Sequence, residues 1–133
     1  MTNRMLDKID LLEDNLKKLK TLKQLSKAEF LSDFRNVESA KHLLQTSVEI
    51  MIDIANILVA KKRFGKPETS AESFEILAKN EIINSDNKKT YITMTKFRNR
   101  VVHMYSKVDD EEIYSILQNN ITDYQTFIRE VCQ

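Results

Sequence analysis

The sequence predicts an all-α protein: an up-down helical bundle of four main helices and one short one, formed by a single domain over residues 1–133. Three observations carry this expectation. The 133-residue chain holds one Gly and one Pro, whereas sandwiches, barrels and βαβ folds turn every few residues and draw on both residues to do so. Apolar residues recur at three- and four-residue intervals along most of the chain, the period of an amphipathic helix. Hydrophobic residues at 41% and charged residues at 31% suit one packed core within a solvated surface.

Each element follows from its own residues. Met5, Ile9, Leu12, Leu16, Leu19 and Leu22 predict a first helix from about Arg4 to Leu25. Ser26 and Glu29 have the spacing of a capping box, and they open a second helix. It runs to about Lys62 with a break near Ser32 to Asn36, and the Gly–Pro cluster from Arg63 to Pro67 ends it. Thr69 or Ser70 caps a short third helix whose apolar side is Phe74, Leu77 and Ala78. The polar stretch from Asn84 to Lys88 reads as a connection. A fourth helix carries Tyr91, Met94, Phe97, Val101 and Val102 to about His103 or Tyr105. Asp109, with Glu112 three residues on, starts a fifth, whose apolar side runs from Ile113 through Ile121 and Tyr124 to Ile128.

The same composition narrows the chemistry. A single cysteine, Cys132, excludes a disulfide framework and a Cys-rich zinc site. Two histidines far apart, His42 and His103, make a His-based metal site improbable, so no metal and no cofactor are expected. The most apolar run, Ile50 to Ala60, is interrupted by Asp53 and Asn56 and falls short of the roughly 20 residues that span a bilayer. The first residues lack the apolar core of a signal peptide. A soluble, cytoplasmic protein without a membrane partner is the expectation.

Charge is segregated behind a formal net charge of +1. Between Asn87 and Lys107 stand Lys88, Lys89, Lys96, Arg98, Arg100 and Lys107 with no acid, and beyond Val108 six acids face one base. This asymmetry draws a polyanion to one surface, or it reflects neighbouring helices pairing their charges. The second helix is apolar on more than one side around Val48 to Val59, as a central or subunit-covered helix is. Its exception is a polar stripe, Gln45, Glu49, Asp53 and Asn56, which faces solvent or lines a cleft.

One segment concentrates functional groups: Phe97-Arg98-Asn99-Arg100-Val101-Val102-His103-Met104-Tyr105. Asn99 and His103, four apart, share a helix face; Arg98 and Tyr105, seven apart, share another. Arg98 and His103 are about 140° apart on an ideal helix, so a long Arg must reach around or the helix must loosen before His103. The pair suits cleavage of an RNA phosphodiester without a metal. Histidine titrates near working pH and moves the proton of the 2′-OH, while Arg offers a planar, permanently charged fork to phosphate oxygens. A His at the negative C-terminal pole of a helix is equally explained by dipole stabilisation.

At these residues the chain resembles the HepT-like proteins of the HEPN superfamily, whose signature is Arg, four residues, His, one residue, Tyr. The resemblance extends to Ser47 through Leu58, with Asp53, Ala55 and Asn56, to Glu72 through Leu77, and to Val108-Asp109. It implies a homodimeric toxin of a toxin–antitoxin pair, a metal-independent ribonuclease whose two signatures face one cleft. Arg98 and His103 take the catalytic positions, with Asn99 as the polar companion. Tyr105 takes the position that a minimal nucleotidyltransferase antitoxin (MntA) modifies with AMP. Glu49, Asp53 and Asn56 are candidate cleft-lining residues, Lys96 and Arg100 candidate RNA contacts, and tRNA or mRNA the expected substrate. Asn87 to Thr90 is more polar than the family pattern, which implies a looser helix start there, or Lys88 and Lys89 placed to serve RNA. A non-catalytic nucleotide- or partner-binding module acting with a nucleotidyltransferase is the alternative.

Overall fold

The computed structural model describes residues 2–133 and is all-helical over them. The helices are α1 (Asn3–Lys23), α2 (Lys27–Ser32), α3 (Phe34–Lys61), α4 (Ser70–Lys79), α5 (Ser85–His103), α6 (Asp110–Asn119) and α7 (Ile121–Val131), with a 3₁₀ turn over Tyr105–Lys107. The up-down bundle is as the sequence predicts. Its predicted second helix is two, α2 and α3, parted at Asp33, whose extended backbone and carboxylate cap on Arg35 N–H start α3 afresh. The Ser26–Glu29 capping box is present in both directions at 3.1 and 3.0 Å.

Two expectations need correction. Asn84 to Lys88 is not a connection and α5 does not start loosely: Asn84 caps the helix on Asp86 N–H at 2.8 Å, and α5 begins at Ser85. Glu130 holds this start by accepting from Asn84 N–H and the Asn87 amide at 2.6 and 3.2 Å. The predicted fifth helix is also two. Asn120 leaves helical geometry (φ −120°, ψ 3°) and divides α6 from α7. Asn side chains compete with the helix backbone, and Asn119 turns its amide onto the Ser115 carbonyl at 2.9 Å. The apolar period runs unbroken across this joint, so spacing alone cannot reveal it.

The breadth of the apolar surface on α3 follows from its position: α3 packs against every other α-helix. Ala40, Leu44, Val48, Met51, Ile54 and Ala55 are almost wholly buried there, and Ile50, Ile52 and Ile57 pack at the margin of the core. By length and composition α3 is apolar enough to cross a membrane, a reach the sequence reading assigned to no segment. In the fold it is the shared inner helix, and it carries ion-paired Lys41, Glu49 and Asp53. A second apolar centre joins Phe74, Tyr91 and Phe127 with ring centroids 5.3–5.9 Å apart, fixing α4, α5 and α7 together.

Candidate active site

Helix α5 presents the signature and α3 receives it. Arg98 donates from both Nε and Nη2 to Glu49 Oε2 at 3.0 and 2.7 Å, and from Nη1 to the Asn99 side-chain oxygen at 3.1 Å. Arg98 and Glu49 are each about one-third exposed, at 30% and 33%, so the guanidinium is oriented by protein yet reachable from solvent. His103 is the last residue of α5 and is exposed. Its side chain makes no hydrogen bond among the described residues. The helix stays regular up to His103, so it does not loosen before it. Arg98 turns toward α3 while His103 opens to solvent, and no hydrogen bond joins the two within this chain.

Tyr105 lies just beyond the helix, in the 3₁₀ turn. Its hydroxyl donates to the Glu38 carboxylate, and the Lys41 ammonium sits 4.7 Å from its ring centroid. Lys41 is 4% exposed and pairs with Asp110 at 3.4 Å. Glu38 and Glu49 are eleven residues apart, three turns, and so lie on one face of α3. The seven-residue step from Arg98 to Tyr105 therefore meets the same face twice. The polar stripe of α3 is longer than sequence reasoning took it to be: it begins at Glu38 and Lys41, both missed. Extending the three-and-four spacing back from Gln45 finds them.

The remaining candidates have structural partners. Asp53 accepts from Lys8 of α1 at 2.9 Å, and Asn56 accepts the Ser73 hydroxyl of α4 at 2.5 Å. Neither bonds to the signature; each ties α3 to another helix. Arg100 donates to both oxygens of Glu112 on α6 at 3.0 and 2.6 Å. That pairing raises the Arg100 pKa and lowers the Glu112 pKa. Lys96 is exposed. The segregated charge is thus only partly cancelled: Lys88, Lys89, Lys96 and Lys107 form no ion pair among the described residues, and the acids at 110 and 111 pair instead with Lys41 and Lys27. His42 is exposed on α3. Cys132 is exposed beside the end of α7, and partial burial with nearby Glu13 raises its thiol pKa, the opposite of nucleophile activation. Among the described residues no three His, Cys, Asp or Glu side chains cluster to hold a metal ion.

A helical bundle that docks an Arg–x4–His helix end and a following Tyr onto one inner helix is a HEPN-type protein. The chain belongs to the ribonuclease HepT-like family, whose sequence profile matches residues 12–131. It is 34% identical to the mRNA nuclease HepT of Shewanella oneidensis over 104 residues, 76% of each chain. It is 27% identical to the tRNA nuclease HepT of Aphanizomenon flos-aquae over 124 residues, 93% of this chain and 84% of the relative. In structure it is similar to a tri-AMPylated HEPN toxin of S. oneidensis solved in complex with an MNT antitoxin. That similarity has a TM-score of 0.91 at 26% identity, covering 99% of this chain and 98% of the other. A toxin–antitoxin complex with AMP-PNP contains a chain similar at TM-score 0.88 and 26% identity, covering 98% and 99%.

Proposed function

We propose that this protein is a metal-independent endoribonuclease toxin of a toxin–antitoxin pair. The observation that carries the reading is the end of α5, which holds a guanidinium oriented by Glu49 and Asn99 and, five residues further on, an exposed imidazole free of intramolecular bonds. Neutral His103 takes the proton of an RNA 2′-OH as O2′ attacks the adjacent phosphorus. The P–O5′ bond breaks, and the leaving oxygen takes a proton from an imidazolium. The products are a 2′,3′-cyclic phosphate and a 5′-OH end. Arg98 holds the non-bridging oxygens, whose charge grows in the transition state, and this is where a preoriented cation acts most strongly.

The reaction uses one base and one acid, and each chain brings one His to the site. A homodimer with two facing signatures supplies both, and Val102 and Met104, 40% and 48% exposed on either side of His103, are apolar surface available to it. Tyr105, 40% exposed in its turn, is the proposed site of AMP transfer by a minimal nucleotidyltransferase antitoxin. A nucleotide ester there adds bulk and negative charge next to Glu38 and Lys41, on the α3 face that also receives Arg98, and blocks RNA. The AMPylated relative supports this part of the reading.

The test is cleavage of tRNA and mRNA in EDTA by protein of verified unmodified mass. His103→Ala is expected to lower the rate about 10²–10⁴-fold, and Arg98→Ala about 10²–10³-fold, both with unchanged circular dichroism. Cleavage abolished by EDTA, or retained by His103→Ala, would refute the assigned chemistry. If the unmodified protein cuts neither RNA yet binds a nucleotide or its nucleotidyltransferase, the non-catalytic module replaces it.

A further inference from the structure

A groove of about 770 Å³ runs between α5 on one side and α6 and α7 on the other. Its α5 wall is formed by Lys89, Thr93, Lys96 and Arg100, spaced four, three and four, so at about 100° per residue they fall on one narrow face. Three residues further along the same face comes His103, where the helix ends. From Lys89 to His103 the stripe covers roughly 21 Å at about 1.5 Å per residue. Met94, Phe97 and Ile116 give the groove an apolar floor, and Asn120 and Asp123 form its far wall. Glu112, paired with Arg100, also lines the groove, and no side chain that lines it bonds to Arg98, His103 or Tyr105.

We propose that this groove is a subsite for single-stranded RNA beside the scissile bond, a proposal that deepens the ribonuclease reading and rests on it. An RNA strand carries one phosphate per nucleotide, and a row of cations leading to the general base gives such a backbone charges to follow. Lys89 and Lys96 are without ion-pair partners and hold flanking phosphates. The apolar floor takes the face of an unstacked base, while Asn120 and Asp123, joined by a hydrogen bond from the Asn120 amide to Asp123 at 3.2 Å, offer their remaining oxygens to its edge as acceptors for an exocyclic amine. Arg100 stands between groove and catalytic end, and it exchanges Glu112 for a phosphate as the strand is laid in. A protein occupant is the weaker fit, since unpaired lysines are depleted from the cores of protein interfaces.

The test compares the full chain with Lys89→Ala/Lys96→Ala and with Thr93→Trp, which fills the groove from an exposed helix position. The substrates are a single-stranded RNA oligonucleotide with a mapped cleavage site and the ribodinucleotide spanning that cut. Both variants are expected to lose about 10-fold in kcat/KM on the oligonucleotide, through KM, and nothing on the dinucleotide. The double variant also flattens the log–log salt dependence of oligonucleotide binding by about 1.4, roughly 0.7 per lost phosphate contact. Fluorescence anisotropy of the labelled oligonucleotide reads the same affinity without cleavage. Wild-type affinity in both variants, or equal losses on both substrates, would overturn the subsite. So would conversion of a dimer to monomers in light scattering, which would make the groove a contact between copies. A wild-type protein that binds the oligonucleotide through the groove but cuts neither substrate removes the ribonuclease reading and leaves the groove standing.

Discussion

In the proposed reaction Arg98 reaches a phosphate only by sharing or leaving the carboxylate that holds it. Glu49 accepts two of its N–H groups on a single oxygen and leaves Nη1 toward Asn99, so the pair is an orienting contact rather than a closed bidentate clamp. With both side chains near one-third exposed, solvent screens the attraction and keeps exchange inexpensive. Glu49→Ala is expected to lower kcat by up to about 10²-fold, the scale of a misplaced catalytic group, with KM little changed. Glu49→Gln still accepts from Arg98 and is expected to stay closer to wild type. Single-turnover cleavage by the three proteins decides it, and an Ala variant as fast as wild type would mean that Glu49 does not position Arg98. At this scale the sequence was informative on α5, where spacing put Arg98, Asn99, His103 and Tyr105 on one helix end. It carried Glu38 and Lys41 only as further positions on the polar stripe of α3, and their role at Tyr105 exists only because the end of α5 packs beside α3.

Helix ends decide which elements could be read in advance. The capping box at Ser26 and the cap at Thr69 are local chemistry, and both stand where the sequence placed them. The stops of α3 and α4 are different. Arg63 and Glu81 adopt left-handed backbone (φ 56° and 61°), where glycine is the usual residue. Around them Phe64 N–H returns to the Val59 carbonyl at 3.0 Å and Ile82 N–H to Leu77 at 2.9 Å, the closing bonds of a Schellman motif. Gly65, whose sequence signal marks the same stop, sits two residues further on. A left-handed L-residue costs about 1–2 kcal/mol, part of which glycine gives back as chain entropy. Glu81→Gly is therefore expected to stabilise the fold by about 0.5–1 kcal/mol, read as a higher urea midpoint at unchanged slope. A lower midpoint would show that the Glu81 side chain contributes more than its backbone costs. The joint at Asn120 was unreadable for the converse reason: the apolar face of α6 continues in phase into α7, and only the Asn pair marks the break.

The whole molecule is nearly neutral by formal charge, so its pH response is set by particular buried groups. Tyr91 and Tyr124 are the two buried phenols, 1% and 2% exposed. Burial raises both pKa values. For Tyr91 the hydrogen bond it donates to Glu130, and the charge of that carboxylate, raise it further. For Tyr124, whose hydroxyl donates to the Leu44 carbonyl at 3.3 Å, nearby Asp123 adds to the effect. A raised acid keeps its proton in the folded chain and releases it in the unfolded chain near the ordinary value of 10.0. The stabilisation from each phenol is thus complete below about pH 10 and declines as the pH rises beyond it, because the unfolded state then binds fewer protons. Glu130 also holds the start of α5 from α7, so ionising Tyr91 places two anions at the joint of α5 and α7. Denaturant midpoints are expected to decline slightly from about pH 9, as the Cys132 thiol ionises first in the unfolded chain, and to fall steeply above about pH 10. Tyr91→Phe costs about 1 kcal/mol at neutral pH for the lost hydrogen bond and makes the alkaline decline shallower. An alkaline slope identical in wild type and Tyr91→Phe would show that Tyr91 is not one of the groups that set it.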